Sequence, residues 1–353
     1  STRKESSAAS DVYKRQLKMS EMPYVTRADG KNLRIAPFYQ QVFHHESSQP
    51  KTMPEYTLIK GFVQLPEQNR QVTLEVLKIL SQFVFATREQ LVRLLEIKGI
   101  DPSTLDDDLS LMLENRQVNC FYLAETASPE FEPAEDAFLV YCMDFGALCL
   151  LNHFSSSDSL SWFTTDANRS SELVLKYLTT VEFFLSLAKV QGPSLRYFKP
   201  AFDVAFGHRE IRFSGAFEIE DTNGQNHSFL LETIRNFDLP VTWRDKLDKK
   251  VVHFVSKPKS WGKYFLDEPV VLLLVENDKD ALEAAELFYR RTEKTNFRLI
   301  TDDQVRAGLE NARFLKYVPY QAAPVGQGYD EETARHMAEL DEATHTGLSL
   351  IHI

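Results

Sequence analysis

One carboxylate, one run of lysines and arginines, and one cluster of aspartates are the parts of this 353-residue chain whose types and spacing could do chemistry. The carboxylate is Glu232, near the end of the apolar run "HSFLLETI" at residues 227–234. Holding Mg²⁺ against a phosphodiester needs at least two convergent carboxylates, because a hard cation that keeps several of its waters is held mainly by anionic oxygen. Glu218, Glu220 and Asp221 stand on the preceding run, "EIRFSGAFEIED". Strand alternation puts Glu218 and Glu220 on one face and leaves open whether Glu232 shares it.

The basic run begins three residues further on. Residues 232–264 carry Arg235, Arg244, Lys246, Lys249, Lys250, Lys257, Lys259 and Lys263 against Glu232, Asp238, Asp245 and Asp248, a local balance of +4 in a chain of net charge −11. Trp243, Trp261 and Tyr264 are interleaved with them. Phosphates bind such clusters with release of counterions, and exposed rings stack on unpaired bases. Arg235, Trp243, Arg244, Lys246, Lys249, Lys250, Lys257 and Lys259 are the expected nucleic-acid contacts. The alternative is a solvated helix face whose tryptophans turn into the core.

The aspartates work the other way. Residues 72–154 hold five Lys or Arg (Lys78, Arg88, Arg93, Lys98, Arg116) against fourteen acids, a balance of −9. Asp106, Asp107, Asp108 and Glu114 fall on the helix that would enter a major groove. Three successive carboxylates repel a phosphate backbone within a Debye length of roughly 8 Å. Arg88 and Arg93 could still reach a phosphate edge, but so acidic a surface suits docking of a protein.

The elements that position these residues follow from periodicity. "TLEVLKILSQF" puts Leu74, Leu77, Ile79 and Leu80 on one helical face, and "REQLVRLLEI" repeats the pattern with Leu91, Leu94 and Leu95. Thr87 is its expected N-cap and Gly99 its stop. A third helix after Pro102 carries Leu105, Leu109, Met112 and Leu113, and "QVNCFYLAE" and "DAFLVYCMD" follow as strands. Three short helices and a hairpin make a winged-helix pattern, closed by "FGALCLLNHF". The Ser-rich stretch after residue 154 reads as a break. Beyond it come a long helix, "SELVLKYLTTVEFFLSLAKV", three strands at "SLRYFKPAF", "EIRFSGAFEIED" and "HSFLLETI", a helix near 241–255, the strand "VVLLLVEN", the helix "KDALEAAELFYRRTE" and the strand "FRLIT". That alternation is an α/β sheet.

The expected division is a polar arm at 1–56, a winged-helix domain at 57–154, a linker at 155–170, an α/β domain at 171–320 and an acidic helical tail at 321–353. Residues 1–16 and 347–353 resemble translated adaptor sequence and are set aside as non-native. No run approaches the roughly 18 apolar residues of a membrane helix, and the polar N-terminal residues are unlike a signal peptide. Three cysteines without CxxC spacing suggest neither a disulfide framework nor a zinc site. The expectation is a cytoplasmic protein of a reducing compartment, without membrane partner or cofactor. Phosphate-binding, dinucleotide and nucleophile-elbow motifs are missing, and adjacent His44 and His45 have no third ligand at useful spacing.

The order of parts resembles the replication-relaxation family of bacterial plasmids and integrative mobile elements. The resemblance rests on "LEVLKILSQFVFATREQLVRLL", "LVYCMDFGALCLL" and "FLLETIRN" with "WRDKLDKKVVHF", and covers roughly residues 70–310. It implies a restriction-endonuclease-like second domain, in which one strand acid, then an acid and Lys on the next strand, hold a divalent metal. The first acid would fall near Ser214 and Gly215, and the Lys at Ile234; neither requirement is met. Glu232 is therefore expected to be a leftover carboxylate, the core degenerate and the protein no enzyme. What remains is an accessory role in mobile-element replication or transfer, with DNA held by the second domain and a protein partner by the first. A pure adaptor without nucleic-acid ligand and an active Mg²⁺-dependent nuclease are the rival expectations.

Overall fold

A computed structural model describes residues 34–35, 54–124, 138–155, 171–206, 209–221, 223–235, 261–294, 296–309, 313–318 and 347–352. The chain is mixed α/β and divides into two compact units, Ser1–Lys189 and Val190–Ile353.

In the first unit, helices α1 (Glu55–Gln64) and α2 (Glu67–Phe83) each start after a proline, Pro54 and Pro66, whose fixed φ suits a helix entry. Helix α2 buries Val72, Val76, Leu77, Ile79, Leu80 and Phe83, a stripe at helical spacing. The short strand β2 (Phe85–Thr87) leads into α3 (Arg88–Ile97) through a capping box. Gln90 N–H donates to Thr87 Oγ1, and the Gln90 side chain accepts from Thr87 N–H. Gly99 follows α3 at φ +70°, as a left-handed stop requires. Helix α4 (Leu105–Glu114) buries Leu105, Leu109 and Met112.

Strands β3 (Val118–Ala124) and β4 (Phe138–Met143) form the hairpin, with Val118 opposite Met143. Strand β2 adds to β4, and the two-residue β1 (Arg34–Ile35) adds to β3. Helix α5 (Phe145–Phe154) is capped by Asp144. Its first turn sits so close to the preceding turn that a Cβ at Gly146 would lie 2.7 Å from the Arg116 carbonyl oxygen, so only glycine fits.

The expected boundary at 155–170 is corrected. Helix α6 (Ser171–Gln191) packs as part of the first unit through residue 189, because its polar and aromatic side chains find their partners there. Gln90 donates to Leu178 O and to Glu182, Arg93 pairs with Glu182 at 2.7 Å, and Phe83 and Phe85 meet Phe184 and Tyr177.

The second unit is one seven-stranded sheet in the order β11-β10-β9-β8-β7-β6-β5. Strands β5 (Leu195–Phe206), β6 (Arg209–Glu220) and β7 (Asn226–Thr233) form an antiparallel meander. Strands β8 (Val270–Val275) and β9 (Phe297–Thr301) continue it parallel to β7. Burial on both faces explains why β8 reads as an unbroken apolar run. Helix α7 (Asp278–Thr292), capped by Asn277, lays Ala281, Ala284, Ala285 and Phe288 onto the core that holds Leu273, Val275 and Leu299. The six-residue helix α8 (Asp302–Ala307) follows β9 behind a second capping box, Thr301 with Gln304.

Two antiparallel strands end the sheet: β10 (Arg313–Val318) and β11 (Gly347–His352). Residues 347–352 therefore pair within the sheet, contrary to the expectation that they stand apart from it. An open sheet edge is a template for any segment of alternating β-prone residues, and "GLSLIH" is one. The helix near 241–255, most of the arm and linker, and the tail from 321 to 346 lie outside the described residues.

Candidate functional site: the carboxyl edge of the central sheet

Strands β7, β8 and β9 run parallel, so their carboxyl ends share one edge. In open α/β sheets this edge is where ligands bind. Here it gathers polar side chains that are almost wholly removed from water. Glu232 is 2% exposed, Glu276 8%, Asp280 6% and Asp302 0%. Arg235, two residues past β7, lies among them and is also buried. Its guanidinium makes a forked ion pair with the first residue of α8, donating from Nη1 to Asp302 Oδ2 at 2.6 Å and from Nη2 to Oδ1 at 3.0 Å. Both side chains of this pair are 0% exposed.

The placement of each member has a local cause. Ile234 N–H donates to Leu274 O and prolongs the β7–β8 ladder by one bond, which carries Arg235 to the sheet edge. The Thr301–Gln304 capping box fixes the turn out of β9 and with it Asp302, whose carboxylate sits where a helix start favours negative charge. Asp280 occupies the first turn of α7, its backbone N–H bound to the Asn277 side chain and its carboxylate accepting from Asn277 Nδ2. Burial pushes the Asp280 carboxyl up, with Glu283 adding to the rise, while Arg235 and the Asn277 bond oppose it.

Glu232 is not the solvated edge carboxylate that one sequence reading allowed. It lies level with Leu273 of β8 and is buried. Pairing of Glu218 with Ser228 and of Glu220 with Asn226 puts all three glutamates on one sheet face, which alternation alone left open. Distance separates them: four residues from Ser228 to Glu232 span about 13 Å at strand rise, too far to share a cation. Glu218 accepts from Ser228, and Glu220 pairs with Arg196.

The positions where a nuclease core needs its other ligands are occupied otherwise. Ser214 Oγ accepts from Thr233 N–H, and Ile234 is a core residue. A Cβ at Gly215 would meet Lys199 O at 3.3 Å and Phe198 Cζ at 3.4 Å, so the site is already tight for any side chain. Among the described residues no three His, Cys, Asp or Glu side chains are grouped to hold a metal ion.

Arg235 is the clearest correction to the sequence reading. Expected as a phosphate contact at the head of the basic run, it is enclosed and engaged by Asp302. Trp261 and Tyr264, read as stacking rings, pack against the hydrophobic core instead, and Tyr264 Oη accepts from Ala205 N–H of the edge strand β5. Lys263 is exposed. Trp243, Arg244, Lys246, Lys249, Lys250, Lys257 and Lys259 lie outside the described residues.

The acidic surface of the first unit is also re-drawn. Of its three successive aspartates only Asp107 is exposed. Asp106 is forked by Arg88, at 2.5 and 2.7 Å. Asp108 is buried at 1% and accepts from Asn69 and Thr104; burial still pushes its carboxyl up. The hydrogen bond to Asp106 holds Arg88 more firmly protonated. Arg88 and Arg93, the cations expected at a phosphate edge, are thus engaged by Asp106 and Glu182. Arg116 is likewise held by Asp144.

Sequence reading missed Asp302, Asp280 and Glu276. One signal was available, since each is an acid within a few residues of the carboxyl end of a fully apolar strand. The pairing of Asp302 with Arg235 across 67 positions had none. Two of the three cysteines, Cys120 and Cys142, are buried, and burial holds their thiols far up, Cys120 to about 12. Among the described residues no helix is long and apolar enough to cross a membrane. Searches against protein-family models, curated proteins and solved structures find no match to this chain.

Proposed function

We propose that the chain is a non-catalytic accessory protein of mobile-element replication or transfer, which contacts DNA through the basic run of its second unit and docks a protein on its acidic first unit. The observation that carries the docking half is the engagement of Arg88, Arg93 and Arg116 by Asp106, Glu182 and Asp144. With these cations neutralised, Asp101, Asp107 and Glu114 remain exposed on and beside α4, a surface that repels polyanions and suits a basic protein. The order helix, strand, two helices, hairpin supports a winged-helix reading. The meander β5–β7, continued by parallel β8, supports the nuclease-like one.

DNA contact is assigned to Trp243, Arg244, Lys246, Lys249, Lys250, Lys257 and Lys259, with Arg235 removed from the set. The degenerate character rests on Ser214, Gly215 and Ile234, which supply no second carboxylate at metal distance from Glu232. A second reading, an adaptor with no nucleic-acid ligand, is favoured by the withdrawal of Arg235, Trp261 and Tyr264 from the proposed contact surface. Electrophoretic mobility of a labelled duplex and of a single strand at two salt concentrations separates the two. Retardation at low salt that fades at high salt supports DNA contact; unretarded DNA at both salts leaves the adaptor.

A further inference from the structure

Arg235 stands at the head of the basic run, yet among the described residues it is the cation of that run that is wholly enclosed. Its partner Asp302 follows β9, two strands away in the sheet, so the side chain must reach across the carboxyl end of β8. The capping box at Thr301 and Gln304 holds Asp302 from one side, and the bond from Ile234 N–H to Leu274 O holds Arg235 from the other. The planar guanidinium and its two parallel bonds set direction as well as distance. Asp280, at the start of α7, also feels the Arg235 charge. One arginine therefore ties together the exits of β7 and β9 and the entry of α7.

We propose that Arg235 is a positioning residue for nucleic-acid binding: acting through Asp302, it fixes the place and direction in which the chain leaves the sheet, and so sets where the basic run begins. The proposal rests on the DNA-binding reading of that run. It goes beyond it by assigning the direction of charge presentation to two residues that touch no phosphate. A lysine at 235 would keep the charge and lose the fork.

The test compares wild-type protein, Asp302→Asn, Asp302→Glu and the apolar double replacement Arg235→Met with Asp302→Leu. Two readouts are taken: the slope of log affinity for a DNA duplex against log salt, and hydrogen exchange at Ile234 and the residues after it, referenced to α7. The slope counts phosphates engaged together and is insensitive to the fraction of protein that is folded, so loss of stability alone leaves it unchanged. Asp302→Asn and the double replacement are expected to flatten the slope by the equivalent of one phosphate or more, about 0.9. Exchange just after β7 should quicken roughly tenfold relative to α7. Asp302→Glu, which keeps the charge, should recover part of both.

An unchanged slope together with unchanged exchange in folded variants would overturn the proposal. If wild-type protein binds no DNA, the functional reading fails by itself, and the exchange comparison alone decides whether Arg235 fixes the exit. Unfolding of both Asp302→Asn and the double replacement would show that the pair holds the whole unit rather than one exit, and would also overturn it.

Discussion

Each unit contains an arginine forked onto an aspartate, and the two pairs differ in almost everything but geometry. Arg88 and Asp106 in the first unit are 24% and 42% exposed, whereas Arg235 and Asp302 in the second are both 0%. A pair in contact with water is worth about 0–1 kcal/mol, since solvent already stabilises each charge. A buried pair adds little over an apolar replacement, but removing one partner leaves an enclosed charge and costs about 3–5 kcal/mol. The first pair hides charge from a surface at little energetic consequence. The second determines whether an edge of the sheet holds its shape.

The largest effect that would sharpen this contrast is at the buried pair. Arg235→Met alone is expected to lower the unfolding free energy by about 3–5 kcal/mol in urea titration, and adding Asp302→Leu should restore most of it. Similar losses in the single and double variants would break the comparison. Gly215→Asp, which places an acid where a metal ligand would be needed, is expected to cost about 1–3 kcal/mol through crowding against Lys199 O and Phe198. Thr87→Ala removes half of a capping box and should cost about 1 kcal/mol. A double-mutant cycle on Arg88 and Asp106 is expected to give a coupling below about 1 kcal/mol; a value equal to that of the buried pair would erase the distinction.

The smallest expected effect is a pH dependence at Glu89. Burial pushes its carboxyl up, with backbone hydrogen bonding and Arg88 opposing. Because the folded protein holds this proton more tightly than the unfolded chain, the ionised form costs stability. That cost is absent below the unfolded carboxylate range and sets in as pH rises through it. Glu89→Gln, compared with wild type by thermal unfolding, should therefore gain more at pH 7 than at pH 4. Equal differences at the two pH values would remove the effect.

Much of the frame was legible because local chemistry decides it. Thr87, Gln90 and Gly99 bracket α3 where their side chains and φ preferences say they should, and the boundaries of α5 and the run of β8 follow from apolar pattern alone. Helix α1 escaped notice, since its buried residues, Leu58 and Phe62, are only two in a polar stretch. The turn at Val84 has φ 69°, a conformation no sequence rule proposes for a β-branched residue. Reading Arg235 as part of a cationic surface failed for a related reason. Adjacency to lysines is local information, and its true partner is reached only through the pairing of three strands. The three aspartates of α4 mislead in the same way, because Arg88 and Asn69 neutralise or bind two of them from other helices.

An acidic unit that repels polyanions and a basic run that attracts them divide the work of the molecule. The most direct test of that division is the salt dependence of DNA affinity for wild-type protein and for the variant carrying Lys246→Glu, Lys249→Glu and Lys250→Glu. Weaker binding by the variant, with a slope reduced by about 0.9 for each phosphate it no longer engages, is the predicted result. The same affinity and the same slope in both proteins would contradict it.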